Sequence, residues 1–561
     1  FFEALEPYRE TLSTIEGELY DDDLADVFPQ VCSTRTWIIQ QYRECERLIM
    51  QAEGWAAIAW LLGARYPKRE LYDAWEKVLY TTFHDVIAGC GADEIYVDVK
   101  QMLANLRMTL DVVLKQQLEC ITKQIDAPPT SRAVFNLLPW PVDHGAPAGE
   151  ILQAGAALPP TGYRVTPNTA TDATDEHGIT VTGNRVETPF WDLEIDETSG
   201  LIQVWDKQGE PLFSGNEIVI EDEVGDLYHH RSRYSPELIN SESGQGFQFG
   251  SFKPKGLRFE RDGVSLKIVY ETEYYCLTWP YRLKDKFPIV IYKYKSLDIR
   301  KEVIVTAGSP RLEFKTWIDN NYPNVRVKVR FDSGIDRNIY HRETQFGVIP
   351  EVSQYHYKGK PDQPTGIPTF LTWFDLSDGD RGITFMNKGT PSVDIAGGVV
   401  DATLFRSVSG ISADGTAGPL VPTPDALELT EHNFEYALEP HAGDWQQAKV
   451  YRSALEYQNP PVAATCPGGG DLPPELSFFK FSVDNLIISA LKKAEDSDAV
   501  ILRCYETHGE ATPTELTAFR DFKRVTEVDL LENETAELKH QGNACRIEVA
   551  PWEIKSLKLE L

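Results

Sequence analysis

Apolar residues recur at spacings of three and four between residues 34 and 62, where Ile38, Tyr42, Cys45, Ile49, Ala52, Ala56 and Ala59 fall on one stripe. That period predicts a long helix with one buried face. A second stripe of Leu71, Trp75, Val78 and Leu79 predicts a helix from Arg69 to about Tyr80, and a third, from Ile95 to Val113, predicts one from Asp93 to Cys120. Three helices joined by short links imply an antiparallel three-helix bundle. Asp93 reads as the N-cap of the third helix, because its carboxylate can accept from the free amides of the first turn. The stretch from Ile87 to Gly91 is then a tight connection between helices.

Near Ala127 the period changes. PPTSR breaks the helical pattern and AVFNLLPWPV opens another regime. Residues 154–184, rich in Ala, Thr, Pro and Gly, read as a long connection or a weak strand pair. Period-two alternation follows in Trp191, Leu193 and Ile195, in Val264, Leu266, Ile268 and Tyr270, in Val303 and Val305, and in Val325, Val327, Val329 and Phe331. Turn signals DETSG, RDG and LSDGDRG separate these half-buried strands. A long run of strands without intervening helices predicts antiparallel β-sandwiches. The expected fold is therefore α+β and multidomain: a helical bundle over 1–126, a large β-sandwich region over 127–458, a Pro- and Gly-rich linker over 459–475, and a small C-terminal β-sandwich over 476–561.

Composition narrows the partners. The chain has 561 residues, 86 acidic against 55 basic, and a formal net charge of -31. Such a field repels phosphate backbones and anionic lipid, which speaks against nucleic acid and membrane surfaces and leaves a homo-oligomer open. The opening FFEALEPYRETL lacks the basic and apolar regions of a signal peptide, and no apolar run reaches the roughly 18 residues of a spanning helix. The eight cysteines are scattered without a C-x-x-C pair, so reduced thiols in a cytoplasm are the expectation.

Most candidate chemistry is weak. His229-His230 would point to opposite faces of a strand and could offer an ion at most one ligand. Gly468, Gly469 and Gly470 lack the lysine and hydroxyl of a phosphate cradle. What remains is TTFHDVIAGCGADEIY at 81–96, where His84-Asp85 sits between two helical patterns. A histidine there can be a helix-end hydrogen-bonding residue, or a metal ligand with its neighbour free for substrate hydroxyls.

The segment order resembles the part of glycoside hydrolase family 38 α-mannosidases that follows their catalytic barrel. GELY at 17–20, STRTWIIQQYRECERLIMQAE and LYDAWEKVLYTTFHDVIAGC are similar to the family's helical region. AVFNLLPWPV, LFRSVSGIS through PTPDALELTEHNFEYALEPHAGDW, and FFKFSVDNLIISALKKAEDSDAVILRCYE are similar to its β domains. The resemblance implies a retaining, zinc-dependent hydrolase of terminal α-mannosides, with a carboxylate nucleophile and a second carboxylic acid as acid/base. It implies that His84 is a zinc ligand, that Asp85 binds substrate, and that Tyr228 in GDLYHH edges the sugar pocket. The family's turn after His-Asp often reads Pro-Gly-Ser, whereas here it is Ala88-Gly89-Cys90.

The family's other zinc ligands, its nucleophile and its acid/base lie in an N-terminal α/β barrel that has no counterpart in this chain. No catalytic residue is therefore expected here, and a complete Zn2+ site requires residues from outside, in a separate barrel chain or segment. The expected partner is an α-mannoside or oligosaccharide. A mannosylglycerate-type hydrolase and a non-catalytic carbohydrate-binding or structural module are the alternatives. A docked barrel predicts an exposed apolar face on the helices.

Overall fold

The structure is a computed structural model describing residues 2–13, 31–143, 157–166, 178–230, 248–278, 293–337, 339–352, 369–412 and 418–561. A short helix α1 (Phe2–Leu5) precedes α2 (Trp37–Leu61), α3 (Lys68–Thr81), α4 (His84–Ile87) and α5 (Asp93–Thr122). The GELY stretch lies outside the described residues, as do 144–156 and 167–177 of the chain's Ala- and Pro-rich part.

Helices α2, α3 and α5 share a core through Tyr42, Ile49, Leu71, Val78, Leu103, Leu106 and Leu110. The one-faced burial expected for the first helix holds only for its N-terminal half. From Gln51 to Ala59 every residue of α2 is buried, because strand Leu486–Lys493 of the C-terminal region covers the side the helices leave open. A single apolar cluster accordingly runs from α2 through Phe135 and Tyr163 to Phe478, Leu502 and Leu557. The segment AEGWAAIAW encodes this by being apolar nearly all round. Inside it, Trp75 Nε1 donates to Glu53 Oε1 at 3.1 Å, and burial pushes the Glu53 carboxyl up to about 7.

Two large sheets form the middle of the molecule. One has nine strands, in the order Gly347–Val352, Ile339–Thr344, Trp373–Ser377, Arg381–Asn387, Glu431–Ala442, Leu312–Asn320, Lys293–Thr306, Ser265–Thr278 and Gln248–Asp262. The other has eight, from Val393–Ala396 and Val399–Arg406 through Val325–Asp332 and Pro211–Asp222 to Thr180–Thr182. Their pairings are antiparallel, as in Leu312↔Leu438 and Val325↔Asp222. Leu193, Val204, Val327 and Val329 of one sheet meet Ile268, Val303, Phe314 and Tyr436 of the other in a shared core, so the period-two positions are the inward ones. A buried Lys301 interrupts this core. Its ammonium donates to the carbonyls of Gly200 at 2.9 Å and Asn216 at 2.7 Å, and burial lowers its pKa to about 7.

Residues 459–475 depart from the expected linker. Val462–Thr465 pairs with Arg132–Asn136, which pairs on its other side with Gly162–Thr166, and Leu472 bridges Ile125. Pro and Gly in this stretch shape turns that return the chain to the end of the helical region. Beyond it, a four-stranded and a five-stranded sheet enclose Leu516, Val549, Leu502 and Leu559. No described helix is long and apolar enough to cross a membrane.

Candidate functional site

At the end of helix α3 two hydroxyls turn back on its last carbonyls: Thr81 Oγ1 donates to Val78 O at 2.7 Å and Thr82 Oγ1 to Leu79 O at 2.6 Å. The single turn α4 then begins at His84, with Val86 N donating to Phe83 O at 2.8 Å. Arg35 holds the loop after it. Arg35 Nη1 donates to Gly89 O at 2.6 Å and Gly91 O at 2.9 Å, while Nη2 pairs with Asp93. The guanidinium also lies over the Tyr96 ring, 4.1 Å from its centroid. Tyr96 Oη accepts from Gly91 N at 2.7 Å and donates to Asp85 O at 2.9 Å.

Asp93 is thus the first residue of α5 and not its N-cap; Ala92 stands there without a side-chain cap. The Asp93 carboxylate serves two distant partners instead, Arg35 and the amide of Asp425 at 3.0 Å. Gly89 has φ +72, and a Cβ there would meet Thr34 O at 3.1 Å and Arg35 Cβ at 3.3 Å. This explains the glycine between Ala88 and Cys90.

His84 faces solvent, with its side chain 82% exposed and Nε2 3.6 Å from Asp85 Oδ1. Asp85 is 53% exposed and also accepts from the Cys90 thiol at 3.9 Å. Cys90 is buried and hydrogen-bonds the Tyr228 side chain; burial raises its pKa. Burial, followed by the neighbouring Cys90, pushes Tyr228 up to about 12, which keeps its phenol protonated. Asp85 and Tyr228, 143 residues apart in sequence, therefore flank one thiol, and His84 stands at the outer rim.

The turn that carries Tyr228 is built by Asp226, whose Oδ1 accepts from Tyr228 N at 2.9 Å and His229 N at 2.8 Å. His229 and His230 lie past the strand Pro211–Asp222, so the opposite-face argument made for them from sequence does not apply. His230 Nδ1 sits 2.5 Å from Glu223 Oε2, and burial lowers its pKa. Behind this turn Arg406 is fully buried. It donates to Ser33 Oγ at 2.7 Å, Asp226 O at 3.1 Å and Leu227 O at 3.3 Å, and pairs with Glu223 at 3.4 Å. Glu428 is buried near Arg35, and burial pushes it up to about 8.

Arg35, Tyr96, Asp226 and Arg406 were not singled out from sequence. One signal was present: Arg406 ends the mostly apolar strand VVDATLFR, directly after Leu404 and Phe405. Among the described residues no group of three or more His, Cys, Asp or Glu is placed to hold a metal ion. His84 offers one accessible imidazole, so the described residues do not by themselves fit a complete zinc site.

An apolar stripe leads up to His84. Tyr72, Leu79, Tyr80 and Phe83 are 61, 62, 64 and 52% exposed. Tyr72, Leu79 and Tyr80 lie on the outer side of α3 with exposed Glu76 among them, away from buried Leu71, Ala74 and Val78, and Phe83 follows just past the helix end, its ring 4.5 Å from the His84 ring. Helix α5 adds exposed Ile95, Val97, Met108 and Val112.

Comparison with known proteins bears on this arrangement. Residues 28–121 match the alpha mannosidase middle domain, 186–414 the glycosyl hydrolases family 38 C-terminal domain, and 485–557 that family's C-terminal beta sandwich domain. Alpha-mannosidase 2C1 of Mus musculus is 23% identical over 582 residues, covering 100% of this chain and 52% of the relative. The Homo sapiens protein of the same name is also 23% identical, with the same coverage. The chain thus spans about half the length of the curated relatives it matches. The crystal structure of an alpha-mannosidase from Enterococcus faecalis V583 superposes with a TM-score of 0.80 at 18% identity, over 100% of this chain and 72% of that one, and so shares its fold. Three domain matches in the family's own order, over a fold shared from end to end, make this chain the middle and C-terminal region of a glycoside hydrolase family 38 protein.

Proposed function

We propose that the chain is the helical and β-sheet part of a retaining, zinc-dependent α-mannosidase whose barrel segment supplies the nucleophile, the acid/base and the remaining zinc ligands. In this reading α2, α3 and α5 are the family's three-helix bundle, and the barrel docks over the apolar stripe of α3. The observation that carries the proposal is the solvent-facing His84-Asp85 pair at the end of that stripe, with Tyr228 brought beside it from the β region.

When bound, the ion supplies Lewis-acid contact to the sugar's hydroxyls. This chain supplies the rest of one wall. The His84 imidazole offers a ring nitrogen outward, and Asp85 accepts a hydrogen bond from a mannose hydroxyl. Tyr228, protonated and held by Cys90, bounds the pocket on the β side. The apolar stripe, covered by the barrel, excludes water from that edge.

The test measures bound zinc by mass spectrometry and hydrolysis of 4-nitrophenyl α-mannoside, on the 561-residue chain alone, on the full-length protein, and on full-length His84→Ala. Zinc and turnover in the full-length protein, their absence in the chain alone, and loss of both in the variant are expected. Turnover by the chain alone, or wild-type zinc and rate in His84→Ala, would overturn it.

A further inference from the structure

The outward face of the nine-stranded sheet holds a groove of about 550 Å³ that the family reading does not use. Its volume lies within the ~300–1,000 Å³ typical of small-molecule sites. The groove is built by cross-strand register. Trp317 pairs with Arg300 on one side and Asn433 on the other, while Lys315 pairs with Glu302 and Glu435. Because opposed residues project to the same face, these six side chains share one surface, away from the core that holds Phe314, Ile318 and Tyr436.

Three properties of this surface define its ligand. First, the charges nearly cancel: Lys255, Arg300 and Lys315 stand among the carboxylates of Glu271, Asp298, Glu302 and Glu435. Neither a phosphate nor a polycation is favoured, so the ligand is close to neutral. Second, cations and carboxylates alternate as adjacent pairs, Lys255 to Asp298 at 2.5 Å, Lys315 to Glu435 at 3.2 Å, and Arg300 with Glu302. Ammonium and guanidinium groups only donate and carboxylates only accept, so each pair offers one donor beside one acceptor. That is the complement of two neighbouring hydroxyls, each able to do both. Third, half-buried Trp317 supplies an apolar ring among these polar groups.

We propose that this groove is a second carbohydrate-binding site, in which the apolar face of a pyranose stacks on Trp317 while its vicinal hydroxyls bridge the Arg300–Glu302 and Lys315–Glu435 pairs. The ligand class is a neutral oligosaccharide. The site holds sugar without cleaving it and stands independently of the activity proposed for the His84 edge.

The test uses the full-length protein carrying His84→Ala, so that binding at the proposed catalytic edge is removed. α-Mannotriose, maltotriose and inorganic phosphate are titrated by isothermal calorimetry and tryptophan fluorescence. Saturable binding of one or both sugars is expected, with Trp317→Ala weakening it at least about tenfold and Trp317→Phe retaining most of it. Circular dichroism and the thermal midpoint confirm that both variants fold, and Glu435→Gln provides a second, milder loss if Trp317→Ala does not. In the background with His84 intact, Trp317→Ala should leave hydrolysis of a small aryl mannoside unchanged. Absence of sugar binding, binding that survives both Trp317→Ala and Glu435→Gln, or binding of phosphate in preference to sugar would overturn the proposal. Loss of binding on His84→Ala alone would do the same, by placing all sugar recognition at the other edge.

Discussion

Replacing Arg406 by methionine keeps the length and much of the volume of a fully buried side chain while deleting its charge and its donors. The guanidinium donates to Ser33, Asp226 O and Leu227 O and pairs with Glu223, whose side chain is also 0% exposed. Breaking a buried ion pair by removing one partner costs about 3–5 kcal/mol, chiefly because the remaining charge is stranded. The orphaned carbonyls add to this, but the same rearrangement partly serves both, so ~3–5 kcal/mol is the expected total. Glu223 keeps Gly225 N at 2.7 Å and the His230 ring. Arg406 is one of the charges that lower the His230 pKa, after burial. Its loss should therefore raise the His230 pKa, since protonated His230 would neutralise Glu223. Urea unfolding of Arg406→Met, Glu223→Gln and the double variant measures the pair, and NMR titration follows His230. The double variant should be less destabilised than the sum of the singles by at least about 1 kcal/mol. A cost below about 1 kcal/mol for Arg406→Met, strict additivity, or an unmoved His230 would refute the reasoning.

Three further outcomes follow from the structure. Glu53 is raised to about 7 from 4.5, so the stability it contributes is complete below about 4.5 and is lost as pH rises through about 7. Relative to Glu53→Gln, wild type should lose roughly 1.4 kcal/mol per pH unit across that window, and parallel pH profiles in chemical unfolding would contradict this. Gly89→Ala should cost about 1–2 kcal/mol by forcing a side chain into positive φ against Thr34 O, seen as a lower thermal midpoint; an unchanged midpoint would show that the loop relaxes freely. Leu79→Glu with Phe83→Glu should leave the folded chain itself stable, because both side chains are already exposed, yet impair the full-length protein's stability or turnover. A full-length double variant indistinguishable from wild type would mean that the stripe is uncovered there.

The sequence revealed local periodicity better than assembly. Helices α2, α3 and α5 begin and end within a few residues of the bounds drawn from apolar spacing, because a three-four stripe has few other uses. The strands around Leu193, Ile268, Val303 and Val327 were equally visible from alternation; the turn DETSG falls between strands, and RDG straddles the end of the strand Gln248–Asp262. What stayed hidden depends on partners distant in sequence. The return of Val462–Thr465 to Arg132–Asn136 is set by backbone pairing, which carries no side-chain signature in a short Pro- and Gly-flanked segment. The all-round burial of α2 reflects a covering sheet more than 400 residues away. At the candidate site, His84-Asp85 could be noticed as a pair between two helices. The contact between Cys90 and Tyr228 could not, since it joins two loops through a fold that no local pattern specifies.

Both arginines at this junction explain why the helical and β regions belong together. Arg35, in the turn leading into α2, holds the carbonyls of the loop after His84-Asp85 and the first residue of α5. Asp93, fixed by that contact, accepts from the amide of Asp425 in the β region. Arg406, at the end of a sheet strand, holds the carbonyls of the turn bearing Tyr228 and reaches Ser33 of the helical region. Arg406 thus pins one loop of the candidate site while touching the helical region, and Arg35 pins the other while reaching the β region through Asp93. A helical region folded alone would keep Asp85 but lose Tyr228 and the Asp425 amide, and a sheet region alone would lose the partner at Ser33. The loop geometry is therefore a property of the joint fold. A separate apolar cluster crosses from α2 into the C-terminal sheets and fixes the helical region against that part of the chain more firmly than a few polar contacts could.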